Sequence, residues 1–244
     1  MNTANVSVDA ISKRYGDLKA VDSVSFELGA GRITGLIGPN GAGKTTIIRI
    51  LSTLIEPDEG SVSVRGFDVV REPDKVRASI GVMPEHPGAY LKLTVRENLR
   101  FYASFYDVAD CESLIRAHAG DLDLLSKLDT PVGELSKGMK EKVAFIRAII
   151  HDPEVIVLDE PFTGLDPDSR VTIKRQLGSL RERERTILIS SHDLALVEAI
   201  CDTVILLDHG SVLVDESIES LKRRFSESAF PSLESIYLEL RKQT

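Results

Sequence analysis

Gly38, Pro39, Asn40, Gly41, Ala42, Gly43, Lys44, Thr45 and Thr46 fit the pattern G-x-x-x-x-G-K-[ST] without interruption. Glycines at this spacing let a backbone turn sharply, so that successive N–H groups converge on an anion. Residues 33–37 before the loop are apolar and read as a strand, and residues 47–51 after it read as a helix. That helix would add the positive end of its macrodipole to the same anion site. Lys44 has the reach for β- and γ-phosphates, and the Thr45 hydroxyl suits Mg²⁺. The chemistry implied is the binding of ATP or GTP.

A second cluster complements the first. Val155, Ile156, Val157 and Leu158 run without a polar residue into Asp159 and Glu160. Neighbouring side chains on a strand leave opposite faces, so the two acids are expected to take different tasks. Asp159 is expected to support Mg²⁺, directly or through water. Glu160 is then free to orient and polarise the water that attacks a γ-phosphate.

The elements that must hold these residues are expected from periodicity and turn chemistry. Strands are predicted over 6–11, 21–28, 32–37, 61–64 and 79–83, separated by Gly29-Ala30-Gly31 and by Pro57-Asp58-Glu59-Gly60. From Thr94 to about Asp152 the pattern turns helical. Val95, Leu99, Tyr102, Ala103 and Tyr106 recur at helical spacing, and Thr94 with Glu97 fits a capping box. A further helix should start near Ser136 and stop at Asp152-Pro153. Buried strands are predicted over 154–158 and 186–190, joined by a helix over 167–183 that Asp166 caps and Pro167 opens. Residues 204–207 and 211–214 read as a hairpin around Asp208-His209-Gly210. Strands alternating with helices argue for a mostly parallel sheet covered on both faces, and the helical block between Met83 and Pro153 for a second lobe.

Composition narrows the function. The chain has 244 residues and a formal charge of −8, enough for a sizeable core and poorly suited to attracting nucleic acid. Its two cysteines, Cys111 and Cys201, are far apart without metal-type spacing, as expected of reduced thiols in the cytoplasm. The first sixteen residues lack the basic and apolar regions of a signal peptide, and no apolar run reaches the length of a membrane span. A membrane role would come through a partner.

Four motifs, in order, resemble the nucleotide-binding subunit of an ABC transporter: GPNGAGKTT, then Leu135-Ser136-Lys137-Gly138-Met139, then VLDEPFTGLDP over 157–167, then SSHD over 190–193. Generic phosphate-loop ATPases lack the second and the fourth. The resemblance covers nearly the whole chain. It implies an α/β fold with a phosphate-loop ATPase core, a mostly parallel sheet, an N-terminal antiparallel β part and an inserted α-helical subdomain at about 86–152. A short helical tail would occupy about 217–244 of a single ATPase domain. The implied cofactors are ATP and Mg²⁺, and the implied assembly is a head-to-tail dimer with two ATP molecules at its interface. Ser136, Lys137 and Gly138 would face the γ-phosphate held by the opposite protomer. A helix N-terminus capped by Ser136 suits an anion, and it would relieve the conflict of Lys137 and Lys140 with the helix dipole. Solvated surface lysines are the competing reading of both. His192 matches the residue that contacts the γ-phosphate and helps position water. Asp166 matches the loop that communicates between sites. Tyr15 matches the ring that stacks on adenine, with a core tyrosine as the competing reading.

Two positions depart from the family pattern. Lys137 stands where glycine is usual, and Glu85 where glutamine is usual as a metal and water contact. Glutamine offers both an acceptor and a donor, whereas glutamate keeps only acceptors, which would hold Mg²⁺ but repel the γ-phosphate. Both variants resemble export-type subunits. Leu233, Ile236, Tyr237 and Leu240 share one face of a C-terminal amphipathic helix, similar to the tail of subunits that pair with export permeases. Packing on the chain's own core is the alternative. The expected function is ATP hydrolysis that drives export through integral-membrane permease subunits. The chain would act with a second ATPase subunit, identical or related, on the inner face of the cell membrane. The other reading is a soluble ABC ATPase acting on ribosomes or nucleic acid.

Overall fold

The computed structural model describes residues 4–86, 88–225 and 232–242. In chain order, β1 (Val6–Tyr15) and β2 (Leu18–Leu28) form a hairpin, and β3 (Ile33–Ile37) leads into the glycine loop and α1 (Lys44–Leu51). β4 (Glu59–Val64) and β5 (Phe67–Asp68) follow, then α2 (Pro73–Ser79) and β6 (Ile80–Met83). α3 (Val95–Ala103), α4 (Cys111–Asp121) and α5 (Lys137–Ile149) lie between β6 and β7 (Val155–Asp159). The chain continues through α6 (Pro167–Glu182), β8 (Thr186–Ser191), α7 (Leu194–Ile200), β9 (Thr203–Asp208) and β10 (Ser211–Ser217). α8 (Ile218–Arg224) and α9 (Leu233–Lys242) end it.

The strands form two sheets. The first is four-stranded, in the order β2-β1-β4-β5, and antiparallel. The second is six-stranded, in the order β10-β9-β3-β8-β7-β6, with β10 alone antiparallel to its neighbour. β7 shows why the second sheet must be covered on both sides. Val155 and Val157 pack into the core shared with α1 and the antiparallel sheet, while Ile156 and Leu158 pack into the core shared with α3, α5 and α6. All four are fully buried, as a strand without polar residues requires.

Capping residues set three helix starts as the sequence predicts. Thr94 and Glu97 form a reciprocal capping box on α3. Ser136 accepts from Met139 N–H at 3.2 Å to start α5, and Asp166 accepts from Ser169 N–H at 2.8 Å to start α6, with Pro167 in its first turn. Each cap satisfies a backbone donor that the helix itself cannot.

Several expectations need correction. The β1–β2 hairpin continues beyond residue 11 to Tyr15 paired with Leu18, through register shifts between Ile11 and Arg14 that break the alternation a strand shows in sequence. β5, α2 and α4 are too short or too weakly patterned to have been read. α3 ends at Ala103, so Tyr106 lies beyond it and instead stacks on His151, 3.7 Å between ring centroids. β7 ends at Asp159, and Glu160 turns out of the sheet with φ 52°. The two carboxylates diverge through a left-handed residue rather than through strand alternation. α9 places Leu233 and Ile236 in a core with Val197, Leu206 and Leu221, so its apolar face is covered by the chain itself.

Candidate functional site

α1 begins where the backbone must approach β2. Gly43 caps α1 at φ 104°, and a Cβ there would lie 2.5 Å from the Ala20 carbonyl oxygen. Only glycine meets both demands. The loop thus wraps over the end of β3 with Lys44 folded inward and 7% exposed. Lys44 Nζ donates to the carbonyls of Gly38 at 2.7 Å and Pro39 at 3.1 Å. Burial pushes its pKa below the ordinary lysine value, against the opposing fields of Glu160, Asp159 and Glu85. A phosphate entering the loop would meet a cation already drawn into it.

The acidic residues close the other wall. Thr45 Oγ1 donates to Asp159 Oδ2 at 3.2 Å, joining the loop to the end of β7. Ser190, on the neighbouring strand β8, donates to Asp159 Oδ1 and accepts from Glu160 N–H at 2.9 Å. The turn at Glu160 carries its carboxylate toward β8's end, where Oε1 lies 2.8 Å from His192 Nδ1. Oε2 accepts from Thr163 Oγ1 at 3.2 Å. A carboxylate held on both oxygens has a defined direction in which to accept a proton from water.

One cleft of about 510 Å³ gathers Tyr15, the loop, Glu85, Asp159, Glu160 and His192. Tyr15 is 45% exposed at its rim, beside Leu18, which excludes the core-tyrosine reading. The residues expected across a dimer interface stand apart from this cleft. Ser136 and Gly138 open α5 against the start of α6, and a Cβ on Gly138 would lie 2.5 Å from Asp166 Oδ2 and 2.8 Å from Ser169 Oγ. Ser169 donates to Asp166 from both its N–H and its Oγ and holds that carboxyl below its usual pKa. Lys137 lines a neighbouring cavity with Glu85. Thr163 and Ser190 are the site residues that sequence reading passed over. Both lay inside quoted motifs, yet nothing in their spacing showed which acid they hold.

Thr45 and Asp159 fit a hard divalent cation. Their oxygens converge, and Glu85 borders the same cleft. Mg²⁺ commonly takes a few such protein oxygens together with substrate phosphates and water. Among the described residues no cluster of three or more His, Cys, Asp or Glu forms a separate metal site.

A family profile described as ABC transporter matches residues 21–163, from β2 through the glycine loop and the Ser136 segment to Thr163. The chain belongs to the ABC transporter family. This ABC ATP-binding subunit is 39% identical to the ABC transporter ATP-binding protein NatA of Bacillus subtilis over 225 residues, 88% of this chain and 91% of that one. It is 36% identical to the Nod factor export ATP-binding protein I of Paraburkholderia xenovorans over 223 residues, 91% of this chain and 73% of that one. A solved ATP-binding subunit of an ABC transporter superposes with a TM-score of 0.91 at 31% identity, covering 98% of this chain and all of that one. A nucleotide-free ATP-binding cassette superposes at 0.80 with 27% identity, covering 96% of this chain. The family is one of ATPases. His192 lies beyond the profile match, so its place beside Glu160 comes from the fold of this chain.

Proposed function

We propose that this ABC ATP-binding subunit hydrolyses Mg–ATP and drives export through a separately encoded integral-membrane permease. The observation that carries the reading is the Glu160 carboxylate, held between His192 and Thr163 on the same cleft as Lys44. Residues of the loop, Gly38, Pro39, Asn40, Gly41, Ala42, Gly43, Lys44, Thr45 and Thr46, would bind the phosphates, and Tyr15 would stack on the base. Thr45, Asp159 and Glu85 would hold Mg²⁺, which when bound offsets charge on the phosphate oxygens. Glu160 takes a proton from the attacking water, and His192 orients Glu160 and contacts the γ-phosphate. Ser136, Lys137 and Gly138, with Asp166, would meet the nucleotide of a second ATPase subunit, identical or related. Closure of that dimer on ATP and its reopening after hydrolysis would work the permease. We treat 1–244 as one ATPase domain with a helical subdomain at about 86–152 and a tail at about 217–244.

Export is favoured over import by the relatives named for Nod factor export. Among the described residues no helix is long and apolar enough to cross a membrane, so this subunit would sit on the cytoplasmic face through its partner. The test is purification of the tagged chain from detergent-solubilised membranes, with phosphate release measured on the product. A stoichiometric polytopic protein and Mg-dependent ATP hydrolysis are the expected result. Recovery on ribosomes or nucleic acid, with no membrane protein, would overturn the transport reading.

A further inference from the structure

The loop after β6 and the start of α5 meet at a cavity of about 350 Å³, beside the nucleotide cleft. Glu85, His86, Lys137, Lys140, Glu141 and Thr163 line it. Lys140 is engaged, since its Nζ donates to the Gly133 carbonyl at 3.1 Å. The Lys137 ammonium has no hydrogen bond or ion pair among the described residues. Its side chain nevertheless has a fixed place. It lies across Gly164, where an added Cβ would be 2.1 Å from Nζ and 2.8 Å from Cε. Thr163, whose hydroxyl donates to Glu160, lines the same cavity as Lys137.

Glu85 and Glu141 bring to the same cavity carboxylates that make no hydrogen bond among the described residues. Burial pushes the Glu141 carboxyl up, while Lys137 and His86 pull it down. Glu85 borders both spaces, and its field reaches Lys44. A carboxylate at that border adds negative charge where a γ-phosphate must enter, a repulsion that a nearby cation offsets. Lys137 is the lining lysine whose ammonium makes no hydrogen bond among the described residues, and its field already acts on Glu141 in the same cavity.

We propose that Lys137 is a positioning residue acting within its own protomer, its ammonium serving as the counter-charge that lets Glu85 face Mg–ATP. The backbone N–H of Lys137 remains available to a phosphate across the dimer, so the side chain and the main chain serve opposite sites. The two departures from the family pattern are then one compensated change. The inference rests on the hydrolytic reading above.

Steady-state Mg–ATP hydrolysis is measured on the full chain and on Lys137→Ala, Glu85→Gln, the double variant and Lys137→Arg. Exposed opposite charges couple by about fivefold at most. Lys137→Ala alone is expected to raise KM for Mg–ATP about threefold to fivefold. In the Glu85→Gln background the same change should shift KM less than about 1.5-fold, and Lys137→Arg should keep the parent value. An equal factor in both backgrounds would overturn the proposal and leave Lys137 a partner of the phosphate across the interface. A parent chain that binds Mg–ATP but releases no phosphate would defeat the hydrolytic reading instead. Binding affinity for Mg–ATP across the same variants would then report the coupling, with the same two outcomes.

Discussion

At the scale of single residues, the site depends on one carboxylate whose direction is set by two side chains, with a third fixing its backbone. Glu160 is reached by His192, Thr163 and, through its N–H, Ser190. Replacing Glu160 by Gln keeps the shape and removes the proton acceptor, so hydrolysis should fall by about 10²–10⁴-fold. ATP binding should survive, and an ATP-dependent dimer should accumulate on size exclusion. Continued phosphate release with no dimer would remove Glu160 from the mechanism. Thr163→Ala leaves the acid and its histidine in place and loosens one oxygen. A drop in kcat of about threefold to tenfold is expected, in line with one modest hydrogen bond, with KM unchanged. Lys44, Asp159, Glu160 and His192 were legible in sequence because each sits in a contiguous motif tied to a strand end. The hold of Thr163 on Glu160 was not, because it depends on a left-handed turn that no spacing rule reveals.

At the scale of elements, close backbone approaches decide which residues become neighbours. β6 packs so tightly on α5 that a Cβ on Gly81 would lie 1.8 Å from the Ala148 carbonyl oxygen and 2.8 Å from Pro153. Gly81→Ala must push the two apart, and a loss of about 1–3 kcal/mol in denaturant unfolding is expected. An unchanged midpoint would mean that α5 is not seated on β6. Strands, caps and most helices were legible because local chemistry sets them. The contact of Gly138 with Asp166 was not, since it joins two helix starts that only tertiary packing brings together. The same packing half-buries His151, whose Nε2 lies 3.1 Å from the Ile80 carbonyl while its Nδ1 is buried without a partner among the described residues. A carbonyl only accepts, so Nε2 carries the proton and Nδ1 is bare. Burial lowers the pKa of His151, and likewise of His118. With the folded pKa depressed, the unfolded chain takes up protons first. Stability is therefore fully present above about pH 6.5 and is lost as pH falls toward the folded values. His151→Phe keeps the stacked ring and abolishes that titration. Its Tm should fall less than the parent's between about pH 7.5 and 5.5, and equal falls would acquit His151.

At the scale of the whole molecule, the helices between β6 and β7 carry a surface that the chain's own core does not cover. Tyr90, Leu91, Phe101 and Phe105 are 49%, 57%, 38% and 64% exposed. Phe101 touches Tyr90 and Phe105 edge-on, with centroids 4.9 and 5.0 Å apart. Contiguous exposed apolar rings mark a contact surface more than a solvated one. Arg147 connects this patch to the nucleotide side, because its guanidinium lies 3.6 Å over Tyr102 while Nη1 donates to the Gly88 carbonyl. Gly88 follows Glu85 by only three residues. A partner pressed on the rings would therefore act on the same segment that borders the cleft. The α9 face was open to a similar reading from sequence, but its burial against α7 leaves the aromatic patch as the better candidate for a permease contact. Glutamate at both Phe101 and Phe105 places charge in that contact without touching the Glu160 site. Recovery of the membrane partner from detergent extract should drop by about tenfold or more, as for loss of aromatic anchors at an interface. Hydrolysis by the isolated subunit should stay within about twofold, since surface changes away from a site seldom exceed that. Undiminished recovery of the partner would assign the patch to some other contact.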